Sequence, residues 1–147
     1  MTERLELQFK LACSPGHAFR VFTEMTDLWW PPGHKRHADS AMVFEPGPAG
    51  RLIERSKQGD DAVGEVVDWQ PPNRLAFNWW LGAAEHPTRV EIGFIPADSG
   101  TAITILHTPG DADGDGIWSG RVARFEAGWT AVFSHLARTI EQEGPSR

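Results

Sequence analysis

Apolar and polar residues alternate near the start of the chain: in Leu5-Glu6-Leu7-Gln8-Phe9-Lys10-Leu11 every second position is apolar. A period of two predicts a strand with Leu5, Leu7, Phe9 and Leu11 on one buried face. The pattern then changes. Ser14-Pro15 reads as an N-cap with proline at the first helical position, and Ala18, Phe19, Val21, Phe22 and Met25 supply the apolar stripe of a short helix. Asp27 offers a cap for one more turn through Leu28, Trp29 and Trp30, which Pro31-Pro32-Gly33 ends.

Between Ala41 and His107 short apolar segments recur, separated by turn residues. The predicted strands are Met42 to Glu45, Arg51 to Lys57, Ala62 to Trp69, Arg74 to Leu81, Thr88 to Ile95 and Thr101 to His107. Pro46-Gly47-Pro48-Ala49-Gly50, Gln58-Gly59-Asp60-Asp61, Pro71-Pro72-Asn73, Gly82, Pro96-Ala97-Asp98-Ser99-Gly100 and Pro109-Gly110 punctuate them. Strands this short and regular predict an antiparallel meander. From Ser119 onward, Val122, Phe125, Trp129, Val132, Phe133, Leu136 and Ile140 repeat at helical spacing, opposite Arg121, Arg124, Arg138 and Glu141. A helix of about 24 residues would be roughly 36 Å long. Gly128 lies on its apolar stripe, where glycine costs about 1 kcal/mol against alanine, so close approach of sheet or ligand is expected as compensation.

One strand, two short helices, about six more strands and a long C-terminal helix predict an α+β domain spanning residues 1–147. A curved antiparallel sheet of about seven strands buries one face by wrapping around that helix, with a cavity expected between them.

Composition narrows the function. The 147 residues are 40% hydrophobic and 23% charged, as in a globular domain. Fourteen Lys and Arg against twenty Asp and Glu give a net charge of −6, which argues against nucleic acid and against anionic membrane surfaces. No apolar run approaches a membrane span, and Met1 to Leu11 lacks a basic start followed by an apolar stretch. Cys13, the single cysteine, has no internal partner. These features predict a cytoplasmic protein without membrane insertion. Seven Trp and eight Phe with no Tyr must fill either a core or the walls of a cavity.

Several segments also resemble, in order, a known family. Ser14-Pro15 with Phe19-Arg20 and Trp29-Trp30 resembles the opening of the heat-shock-protein-ninety ATPase activator homologue-like group, within the START-like or SRPBCC superfamily. Phe44-Glu45-Pro46-Gly47-Pro48-Ala49-Gly50-Arg51 and Gly64-Glu65-Val66-Val67-Asp68-Trp69-Gln70-Pro71-Pro72-Asn73-Arg74-Leu75 look like its central signature, completed by Glu126-Ala127-Gly128-Trp129. The resemblance covers nearly the whole chain and implies the helix-grip fold. The superfamily holds lipid and hormone carriers, polyketide cyclases, pollen allergens and co-chaperone domains, so the fold does not choose among functions.

Candidate chemistry is sparse. His34 and His37 are three apart, but no Cys or carboxylate set completes a metal site, so they read as solvated loop histidines and no metal is expected. Asp111, Asp113 and Asp115 with Gly116 mimic half a calcium loop, yet Val122 stands where a bidentate glutamate is needed; an acidic lid is the better reading. Glu54 and Glu65 lie in predicted strands and are catalytic candidates if turned inward, but Glu54 between Arg51 and Arg55 reads as an ion-pair residue. Cys13 reads as a small hydrophobe. No nucleophile elbow, phosphate-cradling loop or cofactor motif is present.

His107 follows Ile103 and Ile105 at period two, which sends it inward near a strand end. There it is either a polar or acid–base group at a cavity mouth or a capped or half-exposed strand-end histidine. Trp79 and Trp80 must point to opposite faces, the outward one being a homodimer anchor or simply exposed. The aromatics are either packing mass or the lining of a ligand pocket made by Trp30, Trp69, Trp79, His107, Trp118, Phe125 and Trp129. The leading expectation is cofactor-free binding of a small hydrophobic or aromatic molecule. A cyclase- or hydrolase-type enzyme with His107 as acid or base competes with it. So does a protein-interaction module, which the resemblance implies through relatives that act on a chaperone.

Overall fold

A computed structural model of the chain describes residues 4–30, 39–79, 88–109 and 117–143, with side chains of the last helix described from Phe125 to Glu141. The elements run β1 (Leu5–Leu11), α1 (Pro15–Glu24), α2 (Thr26–Trp29), β2 (Ala41–Phe44), β3 (Arg51–Ser56), β4 (Gly59–Gln70), β5 (Arg74–Trp79), β6 (Thr88–Ala97), β7 (Gly100–Thr108) and α3 (Ile117–Glu143). The seven strands form one sheet in the order β1-β7-β6-β5-β4-β3-β2, each pair antiparallel. This is the helix-grip architecture, with short helices after β1 and the long helix last.

Local chemistry sets the helix starts. Ser14 caps α1 by accepting from the His17 amide at 3.2 Å, and Pro15 occupies the first turn. The indole N–H of Trp29 donates to the Val21 carbonyl at 2.9 Å and ties α2 back onto α1. Asp27 accepts from the Met42 amide at 3.0 Å, which fastens α2 to β2.

Two hairpins are tighter than the turn residues suggest. Gly59, at φ +121°, already pairs with Ser56, so β4 begins there and not at Ala62. Ala97 pairs with Gly100, so Asp98-Ser99 alone makes the β6–β7 turn. Gly and Pro marked the turns correctly, but ladder bonds extend into them because each added pair satisfies more backbone.

Register shifts at Leu52/Ile53 and Val66/Asp68 bend the sheet. Its concave face carries Leu52, Leu75, Phe77, Val90, Ile92, Phe94, Ile103 and Ile105, all buried. On α3, Phe125, Trp129, Val132, Phe133, Leu136 and Ile140 are buried, while Arg138 and Glu141 are exposed. In the middle of the gripped space Phe133 stacks on Phe9 at 4.9 Å and on Phe22 at 5.9 Å between ring centres. Cys13 is buried within this core and forms no disulfide.

Two expectations are overturned here. A Cβ at Gly128 would meet nothing within 4 Å among the described residues, so it is not the sheet that approaches this glycine closely. Glu54 does not pair with the neighbouring arginines, because Arg51 bridges to Glu45 and Arg55 to Asp60. Instead Glu54 shares the inward face of Leu52 and Met42, is only 2% exposed, and accepts from the Ser40 hydroxyl at 2.7 Å. Alternation along β3 puts Arg51 and Arg55 outside and Glu54 inside. Glu65 is exposed.

Candidate functional site

β5 ends, β6 begins and β7 ends at one rim of the sheet, where Trp79 pairs with Thr88 and Val90 with His107. The period of two turns Trp79 and His107 to the concave face. From α3, Phe125 and Trp129 reach the same place, one helical turn apart, and Trp30 closes it from the end of α2. Ring centres lie 4.6 Å apart for His107–Phe125, 5.1 Å for Trp79–Trp129, 5.9 Å for Trp79–His107 and 6.3 Å for Trp30–Trp79. His107 and Trp129 form the floor of this cage; Trp79, at 9% exposure, is its outermost member.

The cage has one directed polar chain. The Trp129 indole N–H donates to His107 Nδ1 at 3.0 Å. An indole nitrogen only donates, so Nδ1 carries no proton and the neutral ring holds its hydrogen on Nε2. Nε2 therefore donates to Thr88 Oγ1 at 2.7 Å, and Thr88 passes its own hydrogen to the Trp79 carbonyl at 3.0 Å. Burial pushes the His107 pKa down to about 3, since desolvation opposes the charged ring. His107 is wholly buried, not half-exposed. A proton on Nδ1 would face another N–H, so this geometry suits a fixed neutral anchor rather than a residue that exchanges protons.

One member of the cage is not satisfied. Trp79 Nε1 is buried and has no hydrogen-bond partner. Such a group costs about 1–3 kcal/mol.

Trp69 lies elsewhere on the concave face, across from Leu75. It meets Phe19 edge-on at 5.2 Å and lines a groove of about 740 Å³ between α1–α2 and the β2 edge, with Met25, Phe44 and Pro71. The proposed lining residues thus divide: Trp30, Trp79, His107, Phe125 and Trp129 meet at one rim, and Trp69 at the groove. The side chain of Trp118 lies outside the described residues, as do Trp80, His34, His37, Asp111, Asp113 and Asp115. Sequence reasoning missed Thr88, for which its place at the start of a predicted strand was the one available signal.

Among the described residues no group of three His, Cys, Asp or Glu is arranged to hold a metal ion. No described helix is long and apolar enough to cross a membrane.

Residues 12–141 match the family model described as activator of Hsp90 ATPase homolog 1-like protein. The chain belongs to this family. This member resembles the solved protein NE0264 from Nitrosomonas europaea at 20% identity and TM-score 0.72, covering 95% of each chain. A Rhodobacter sphaeroides protein is similar at 18% identity and TM-score 0.71, with 97% of this chain and 98% of that one covered. An anthrahydroquino-γ-pyrone synthase, Txn09, solved as a complex, is similar at 29% identity and TM-score 0.58 over 79% of this chain and 82% of that one. No functionally curated protein matches this chain significantly.

Proposed function

We propose that this family member binds a small, flat, largely apolar molecule between the curved sheet and α3, against the cage of Trp30, Trp79, His107, Phe125 and Trp129. The carrying observation is that rings from α2, β5, β7 and α3 converge at one rim around a neutral, fully directed hydrogen-bond chain. Apolar walls with a few placed polar groups are the ordinary make-up of a small-molecule site. The similarity to a synthase of an anthrahydroquinone-type product supports a polycyclic ligand. Turnover is no part of the proposal, because His107 is held as a neutral anchor.

A second reading rests on the open groove at Trp69, whose volume of about 740 Å³ suits a small molecule without any rearrangement. Titration of tryptophan fluorescence with flat aromatics, fatty acids and steroids separates the two. Saturable micromolar binding that weakens roughly tenfold in Phe125→Ala and changes little in Trp69→Ala assigns the cage. The reverse assigns the groove. No response to any compound overturns both.

A further inference from the structure

Resting on the cage as the binding site, we propose that its ligand carries a neutral carbonyl-type oxygen that docks on the indole N–H of Trp79. The polar chain of the cage is internally paired. Trp129 Nε1, both ring nitrogens of His107, the Thr88 hydroxyl and the Trp79 carbonyl all bond to one another. Trp79 Nε1 alone is left over, more than nine-tenths buried, on the outermost ring of the cluster. Water does not reach it, so the group that completes it must arrive with an apolar body able to enter such a place.

The chemistry of that oxygen is also constrained. An indole N–H is a single donor, which matches one acceptor and does not hold an anion by itself. His107 is neutral in its chain. Among the described residues the charged side chain buried on this concave face is a carboxylate, Glu54, and no lysine or arginine is buried with it. A carboxylate or phosphate would therefore meet no buried counter-charge among the described residues. A ketone, quinone or lactone oxygen on a polycyclic frame meets both conditions.

The test compares 9-fluorenone with fluorene, which share a flat frame and differ by the carbonyl, and with 9-fluorenone-2-carboxylate as the anionic analogue. Wild-type protein is expected to bind fluorenone roughly five- to tenfold more tightly than fluorene, and to bind the carboxylate more weakly than fluorenone. In Trp79→Phe, which keeps an aromatic ring and removes the donor, the two neutral compounds should bind alike. The indole cross-peak missing from the ¹⁵N spectrum of that variant should shift in wild-type protein on adding fluorenone and stay nearly fixed with fluorene. The wild-type affinity ratio decides even if the variant folds poorly.

Equal wild-type affinities, a fluorenone preference that survives in Trp79→Phe, or tightest binding of the carboxylate would each overturn the assignment. An indole signal unmoved by bound fluorenone would do the same and give the N–H to a ring face within the cluster. If none of the three compounds binds, the cage itself is not the site, an outcome distinct from binding without discrimination.

Discussion

Trp129 donates its indole N–H to Nδ1 of His107 at 3.0 Å, and this contact makes the histidine a one-state residue. With Nδ1 committed as acceptor, a second ring proton has no place except against another donor. Burial acts in the same direction and holds the pKa near 3 instead of 6.5. The sign for stability follows from linkage. Below about pH 6.5 the unfolded chain takes up a proton that the folded chain refuses until about pH 3. Stability is therefore intact above that window and falls by about 1.4 kcal/mol for each pH unit within it. Urea denaturation at several pH values should show this slope, and His107→Gln should lose that part of it. An unchanged slope in the variant would mean that His107 is protonated in the fold.

The same chain should behave as a unit. Trp129→Phe strips the donor from a buried nitrogen, and Thr88→Val strips the acceptor from Nε2–H and the donor from the Trp79 carbonyl. Each is expected to cost about 1–3 kcal/mol. The double variant should cost less than the sum, since each change frees the same ring to reorient, with a coupling above about 0.5 kcal/mol. Additive losses measured by denaturation would break the chain into independent contacts.

Much of this arrangement is legible in the sequence alone. Alternation in β1 and β7 and the stripe on α3 announced the sheet, its inner face and the gripped helix, because burial of one face imposes those periods. The inward turn of His107 followed from Ile103 and Ile105 by the same rule. Trp69 and Trp79 were equally plausible walls, and only the ladder reveals that one sits across from Leu75 and the other across from Thr88. Glu54 was misread because two flanking arginines look like partners along a sequence. In a strand such neighbours project from the opposite face. The orphaned Trp79 N–H had no sequence signal at all, since satisfaction of a buried donor is a property of everything packed around it.

Glu54 gives the third prediction. Its carboxyl is buried on the concave face and takes a 2.7 Å hydrogen bond from Ser40. Ser40→Ala removes that donor and barely alters volume, so the loss reports the hydrogen bond to a desolvated acid group. An expected cost of about 1–3 kcal/mol should appear in denaturation of the single variant. It should shrink when Glu54 is also changed to Leu, because no polar group is then left wanting. A full cost retained in the Glu54→Leu background would show that Ser40 acts through some other contact.

Gly128 supplies the reverse case, a substitution expected to strengthen the fold. It stands mid-helix between Phe125 and Val132 on the buried stripe, yet an added Cβ touches nothing within 4 Å. Its backbone freedom in the unfolded chain is then a cost with no packing return. Gly128→Ala should raise stability by about 1 kcal/mol, and the melting temperature by roughly 2–4 °C for a domain of this size. If Gly128→Ala is destabilising instead, the space is filled in solution and the glycine is there for close approach after all.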